Sequence, residues 1–474
     1  MKNISILDFF LLLSLLMPGL ILTQNSERFQ RGTVIDKIVC KADSSQSYAL
    51  YLPGGYSPQK KWPILFAFDP GGKGDIPLKH FKDAAEKYNY LVIGSNNAKN
   101  GPWEPIIRAM LAVYSDAQLR FSIDKTRIFV TGFSGGSRAA SLFSQVIQKP
   151  VVGIIGCGAG IATHMKPWDI EPSAYCGIVG TMDFNYREME RLESQFEKQD
   201  IIHRILIFPG RHTWPPPEIC TLAIEWMELV VMKQKIRSLD EELIERLYLK
   251  EISEAQELEK SIDFASALTR YEAVVRLFDE WQNIEEIQIK IRNLKENRLY
   301  RQFLKNEKKR EREETAILDT LTREIALIKK HPPDQATLHK ILSMLKIKIL
   351  SNAANDNKNI YDRSMAVRTL HNINVIARNE AHVQYEKGDF KRAILFFEVA
   401  IKAGVSVVGD QPYQYFNLAC AYARDKNSDK ALESLSLAIQ EGFNERELLE
   451  SDKDLELIRK TPKFISLLDV LRKR

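Results

Sequence analysis

The stretch Arg127–Phe143, RIFVTGFSGGSRAASLF, decides how the chain is read. Its first seven residues form a β-branched and aromatic run, and from Gly135 onward small and apolar residues recur at helical spacing. Between the two stands Gly132-Phe133-Ser134-Gly135-Gly136, a G-x-S-x-G pattern. Alone the pattern says little, since ordinary glycine and serine usage produces it in a chain this long about one time in ten. Its position says more. A serine on a sharp strand-to-helix turn is exposed, and glycines two residues to either side relieve the crowding of strand and helix backbones. The helix N-terminus beneath Ser134 favours negative charge, as an oxyanion there requires. Ser134 is read as a nucleophile, against the alternative of a plain turn residue in a glycine-rich bend.

Working outward, residues 33–235 alternate between short β-rich runs and amphipathic helical ones. TVIDKIVCK and SYALYLP predict an opening hairpin. PILFAFD (63–69), YLVIGSN (90–96), RIFVTGF (127–133), VVGIIGCG (151–158), YCGIVGT (175–181) and HRILIFPG (203–210) predict further strands. Helical segments at 103–120, 137–148 and 186–199 fall between them. Continuous apolar strands separated by helices imply a mostly parallel sheet covered on both faces, a doubly wound α/β domain.

A serine hydroxyl reacts poorly until a base takes its proton. His212, in FPGRHTWPP, follows the last strand, where a Ser…Asp/Glu…His chain order places the base. His164 is the runner-up, His80 precedes the nucleophile, and His203 begins a strand and reads as structural. Asp183, at the tip of the strand before the histidine strand, is the candidate carboxylate. Asp169 is its alternative, and a helix N-cap is the competing role for Asp183. For the oxyanion hole, one N–H is expected from Gly135. The other is expected from the loop FDPGGKGD, with Gly71 preferred and Gly72 next, because Pro70 has no N–H. Trp103 and Trp214 flank these positions and are candidate pocket residues, with core packing as the alternative for Trp103. Short segments between strands suggest an open site without an inserted lid.

Lys2 precedes a fourteen-residue apolar run at 9–22, shorter than the roughly 20 residues that span a bilayer. Residues 1–24 are expected to be a signal peptide, or an anchor if not cleaved, which makes the protein exported (periplasmic or extracellular). Cysteines at 40, 157, 176, 220 and 420 form no C-x-x-C pair and suggest neither a zinc site nor a disulfide framework. The net charge of +5 over 474 residues, without a basic stripe interleaved with aromatics, argues against nucleic acid as a partner.

Beyond residue 235 the pattern is almost wholly helical. The run KNEKKREREE (305–314) is expected to be a solvated helix face. Ala381, Ala393 and Ala400 meet Ala419, Ala431 and Ala438 at a constant offset of 38 residues, and Ala255, Asp263, Phe264 and Ala267 fit the same register. Small residues at fixed points let paired helices approach closely. The segment resembles the tetratricopeptide repeat, whose period is about 34 residues, with extra residues expected near 405–412. The expected organisation is 25–235 catalytic, 236–376 divergent helical with a repeat-like unit near 250–280, and 377–474 repeat-like.

Residues 33–235 resemble the α/β-hydrolase superfamily, most of all its exported esterases of the polyhydroxybutyrate-depolymerase-like and dienelactone-hydrolase-like groups. LFAFDPGGKG, NGPWEP, VTGFSGGSRAA, GTMDFNY and GRHTWPPPE carry the resemblance, with Asp69 standing where many relatives have histidine. The resemblance implies a serine hydrolase cleaving a carboxylic ester through an acyl-serine. Ser134 would attack, His212 carry the proton, Asp183 orient it, and Gly71 and Gly135 hold the oxyanion, with no metal or organic cofactor. A small or polymeric ester is the implied substrate, and the repeats would offer a surface to a protein or peptide partner. The alternatives are a peptidase of the same fold, or a catalytically silent fold whose repeats do the binding.

Overall fold

The computed structural model describes residues 29–171, 173–331, 333, 335–404 and 411–472. The expected signal segment at 1–24 lies outside the described residues, and so do 405–410, where the extra repeat residues were expected. Among the described residues, no helix is long and apolar enough to cross a membrane.

Eight strands form one sheet: β1 (Val34–Val39), β2 (Ser47–Tyr51), β3 (Trp62–Phe68), β4 (Leu91–Ser95), β5 (Ile123–Phe133), β6 (Gly153–Cys157), β7 (Ala174–Gly180) and β8 (His203–Phe208). Their spatial order is β1-β2-β4-β3-β5-β6-β7-β8. The β1–β2 and β2–β4 pairs are antiparallel and all others parallel. In β3, β6 and β7 every residue is buried, the physical meaning of their unbroken apolar runs. One face is covered by α2 (Trp103–Arg120), α3 (Gly135–Ile147) and α4 (Tyr186–Lys198), the other by α1 (Asp75–Tyr88) and α5 (Pro217–Lys233). The connections leaving β3 and β5 run to opposite faces, so a crevice opens at the carboxyl ends of these neighbours, where ligand sites collect in such sheets. This is the α/β-hydrolase architecture, with the antiparallel β1 and β2 at one edge.

Helices follow to the end: α6 (Glu241–Lys260), α7 (Phe264–Phe278), α8 (Glu285–Glu296), α9 (Arg298–Ile328), α10 (Gln335–Met344), α11 (Ile347–Ala354), α12 (Ile360–Glu386), α13 (Phe390–Gly404), α14 (Gln411–Arg424), α15 (Ser428–Gln440), α16 (Arg446–Ser451) and α17 (Pro462–Arg472). Secondary structure changes class near residue 235, but the core does not. Leu243, Leu247, Tyr271 and Leu294 share one apolar cluster with the sheet face under α5. A second cluster begins at Ile317 and runs to Phe464, so the cores divide within α9. That helix also corrects the reading of KNEKKREREE. Glu314 is buried and accepts from both Arg187 and Arg368, while Glu307 and Arg310, three and four residues apart, share its inward face. Only part of the run is solvated.

The helices pair as hairpins, and the aligned alanines lie at the crossings. Ala255, Ala267, Ala381, Ala393, Ala419, Ala431 and Ala438 are all wholly buried. The aligned polar residues cap the second helix of each pair. Asp263 accepts from Ser266 N–H, Asp389 from Arg392 N–H and Asn427 from Lys430 N–H, each three residues on. Gly388, at φ +77°, closes α12 in the left-handed region. Ala381→Leu and Ala431→Leu should each cost about 1–3 kcal/mol by overpacking, read from urea unfolding midpoints. Unchanged midpoints would mean that the helices do not cross there.

Candidate active site

Ser134 lies between the end of β5 and the start of α3 with φ 54° and ψ −119°, a conformation that L-residues seldom adopt. Its N–H donates to Cys157 O at 2.8 Å, which locks the turn against β6. The glycines around it are steric necessities. A Cβ on Gly132 would lie 2.0 Å from Gly136 O, and one on Gly136 would lie 2.0 Å from Phe68 O. Backbone meets backbone at both points.

Ser134, His212 and Asp183 come together as one hydrogen-bonded line. His212 Nε2 lies 2.9 Å from Ser134 Oγ, and Nδ1 lies 2.9 and 2.8 Å from the two Asp183 oxygens. With its Nδ1–H donated to the carboxylate, the ring presents the Nε2 lone pair to the serine O–H. Asp183 is buried and also accepts from Asn185 N–H at 2.8 Å; no side-chain cap bond is made at the start of α4. The imidazole is held between two phenyl rings, Phe133 at 4.6 Å and Phe184 at 4.3 Å between centroids. Arg138 on α3 makes a bidentate ion pair with Glu188 on α4, tying the helix after the nucleophile to the helix after the acid.

The other candidates sort differently. Asp169 accepts from Lys166 N–H within its own loop. His164 is exposed against Trp103, with ring centroids 5.9 Å apart. His203 is buried with Nδ1 on Ile201 O, and half-buried His80 has Nδ1 on Pro215 O; burial pushes both below the ordinary histidine pKa. Trp214 serves as a clamp: Nε1 donates to Asp69 Oδ2 at 2.9 Å, and its ring lies on Phe133 and stacks on His80. Trp103, at the start of α2, is 38% exposed and makes its ring contact with His164.

The oxyanion expectation is corrected at Gly71. Asp69 is buried at the end of β3, and its Oδ1 accepts the Gly71 N–H at 2.8 Å. Gly72 N–H turns back to Asp69 O at 3.0 Å. An aspartate two residues ahead captures the amide in a local turn, as this side chain commonly does. Both donors of the loop are therefore engaged. Gly135, the first residue of α3, keeps its N–H at the helix N-terminus. Beside it lies Asn100, the first residue of NGPWEP, to which the sequence reading gave no role. The Asn100 carboxamide packs so closely on Gly135 that a Cβ there would be 1.8 Å from Asn100 Oδ1. Asn100 is placed by its own N–H, which donates to Pro70 O at 2.8 Å.

The site also has a neighbour from far along the chain. His371 on α12 lies edge-on to Phe184 at 4.6 Å, and its ring centroid is 6.2 Å from that of His212. Nothing in the local sequence around residue 371 marks it as neighbouring a site. All five cysteines are buried thiols, and Cys157 is pushed far up by burial beneath the nucleophile turn. Among the described residues, no group of three or more His, Cys, Asp or Glu is placed to hold a metal ion.

The two kinds of glycine predict different outcomes. Gly136→Ala must push backbone off backbone and should abolish the folded state, read by circular dichroism and yield. Gly135→Ala only displaces the tip of Asn100 and should leave the thermal midpoint within a few degrees. Equal behaviour of the two would contradict the packing described.

No family model matches the chain. A curated relative, a chloroplastic protein of Arabidopsis thaliana, is 28% identical over 116 residues, 22% of this chain and 34% of that protein. The chain thus spans about a third of that relative's length. Among solved structures, S-formylglutathione hydrolase of Staphylococcus aureus has a TM-score of 0.34 at 14% identity, over 41% of this chain and 97% of that one. Est1E of Butyrivibrio proteoclasticus gives 0.34 at 12% identity over 41% and 98%, and a ferulic acid esterase 0.35 at 13% over 42% and 97%. At such distances the chemistry has to be read from this chain's own side chains.

Proposed function

We propose that the chain is a serine hydrolase that cleaves carboxylic esters through an acyl-serine intermediate. The observation carrying this reading is the unbroken line from Ser134 Oγ through His212 to buried Asp183, on a turn held in a strained conformation. In the first step Ser134 Oγ bonds to the ester carbonyl carbon while its proton passes to His212 Nε2. Asp183 stabilises the resulting imidazolium. The tetrahedral oxyanion collapses, and the alcohol leaves with the proton from Nε2. A water then gives its proton to Nε2 and attacks the acyl carbon, releasing the acid and restoring Ser134.

We assign the oxyanion to the Gly135 N–H at the head of α3, with the Nδ2 amide of neighbouring Asn100 as the second donor in place of the Gly71 N–H that Asp69 occupies. A donor of this kind contributes about 3–4 kcal/mol to the transition state. The intact triad weighs against a silent fold. Export belongs to the proposal and rests on the apolar run after Lys2. The hairpins from α12 to α15, with buried alanines at the crossings and aligned caps, support a tetratricopeptide-like unit with a surface for a protein or peptide partner.

Purified chain should hydrolyse short-chain p-nitrophenyl esters, and Ser134→Ala should reduce kcat/KM by about a thousandfold or more. Asn100→Ala should lower kcat by about a hundredfold or more with little change in KM. Wild-type kcat in Asn100→Ala would remove that amide from the chemistry. Faster cleavage of dipeptide amides than of esters would favour the peptidase.

A further inference from the structure

The acid loop, residues 181–185, joins β7 to α4 and carries Asp183 between the backbone carbonyls of Thr181 and Phe184. Its own half of the chain anchors it through Met182 N–H to Gly210 O, and through Asn185 Nδ2 to Gly158 O. The two carbonyls are met from elsewhere. Arg368 Nη1 donates to Thr181 O at 3.1 Å, and Asn372 Nδ2 donates to Phe184 O at 3.0 Å. Both donors belong to α12, in the helical half. They cap the carbonyl two residues before the acid and the carbonyl one residue after it.

Residues 368, 371 and 372 stand at i, i+3 and i+4, so one face of α12 carries all three contacts. Arg368 is itself fixed. Its Nε lies 3.0 and 3.1 Å from the oxygens of buried Glu314, and its guanidinium lies 4.8 Å from the centre of the Tyr186 ring. Glu314 is bound in turn by Arg187 Nε at 3.0 Å, so α4, α9 and α12 share one buried charge cluster. Half a turn further along the same helix, wholly buried Asn374 donates to Ala400 O, and its Nδ2 also lies 2.9 Å from Gln414 Oε1. One helix of 27 residues thus grips the acid loop with one stretch and the α13–α14 hairpins with the next.

We infer that α12 is a working part of the active site: Arg368 and Asn372 are positioning residues that hold Asp183 in line with His212. Catalysis by the sheet half therefore depends on the helical half. This rests on the serine-hydrolase reading. The physical reason is that a carboxylate orients a base only within a narrow range, and a misplacement of about 1 Å can cost about a hundredfold. Without the two caps, the loop keeps only its inner anchors, and both carbonyls lose partners in a partly buried place. The acid then orients the imidazole for less of the time, and kcat falls while substrate affinity does not.

The test uses the full chain and p-nitrophenyl acetate. Asn372→Ala and Arg368→Lys are each expected to lower kcat by about tenfold, with KM within about twofold of wild type. Amide hydrogen exchange, read by mass spectrometry on folded Asn372→Ala, should quicken over 181–185 and stay as in wild type over β5 and α3. Wild-type kcat in both variants overturns the inference, and so does a loss of thermal stability with kcat per folded molecule unchanged. Unchanged exchange of 181–185 overturns it as well, even if one of the variants folds poorly. A folded wild-type chain that hydrolyses no ester overturns the hydrolase reading, and this inference falls with it. The two failures are distinguished by the wild-type assay alone.

Discussion

The site depends on a backbone constraint: a serine held at φ 54° where a strand and a helix pass too closely for any Cβ on Gly132 or Gly136. That contact fixes the direction of the Ser134 side chain before any catalytic partner is considered. It also sets the head of α3 beneath the point where negative charge would develop. The strain is sustained because β5 is covered on both faces and the Ser134 amide is pinned to β6. A surface turn could not hold it.

From that fixed point the rest of the site is a matter of holding two loops to it. The His212 ring cannot tilt freely between Phe133 and Phe184, and Trp214 ties its loop to Asp69 at the end of β3. The same Asp69 that anchors Trp214 takes the Gly71 amide, so stiffening this side of the crevice engages one candidate oxyanion donor. On the other side the acid loop is steadied from two directions, by the sheet half below and by α12 above. The helical half is therefore packed against the acid loop, and the buried Glu314 cluster is what fastens it. Breaking such a buried cluster by removing one partner costs about 3–5 kcal/mol, because a charge is left without its counterpart.

Much of this was legible in the residues. Unbroken apolar runs announced strands covered on both faces. The order Ser134, Asp183, His212 followed from strand ends, since each of the three sits at the carboxyl end of a strand or just beyond it. The alanine register marked the helix crossings because only small side chains fit there. What escaped the sequence was of two kinds. Local competition hid Gly71: whether an amide faces a ligand or the aspartate before it is decided by loop geometry, which FDPGGKGD does not reveal. Long-range packing hid the other features. Glu314 looks like every other acid in KNEKKREREE, and only its meeting with Arg187 and Arg368 sets it apart. Asn372 lies 188 residues from the Phe184 carbonyl it caps, and a helical pattern does not name its distant neighbour. The core boundary within α9 was missed for the same reason, since α6 to α8 read as more of the helical half yet bury their apolar faces on the sheet.

The central claim is that Ser134 is an activated nucleophile in the folded chain. It is tested most directly by treating the purified full-length protein with a fluorophosphonate, digesting it, and locating the adduct by mass spectrometry. The account predicts a single phosphonyl adduct on the peptide that contains Ser134, formed by the folded chain and absent when the chain is denatured before treatment. A folded chain that takes up no label, or takes it up on a residue other than Ser134, would contradict it.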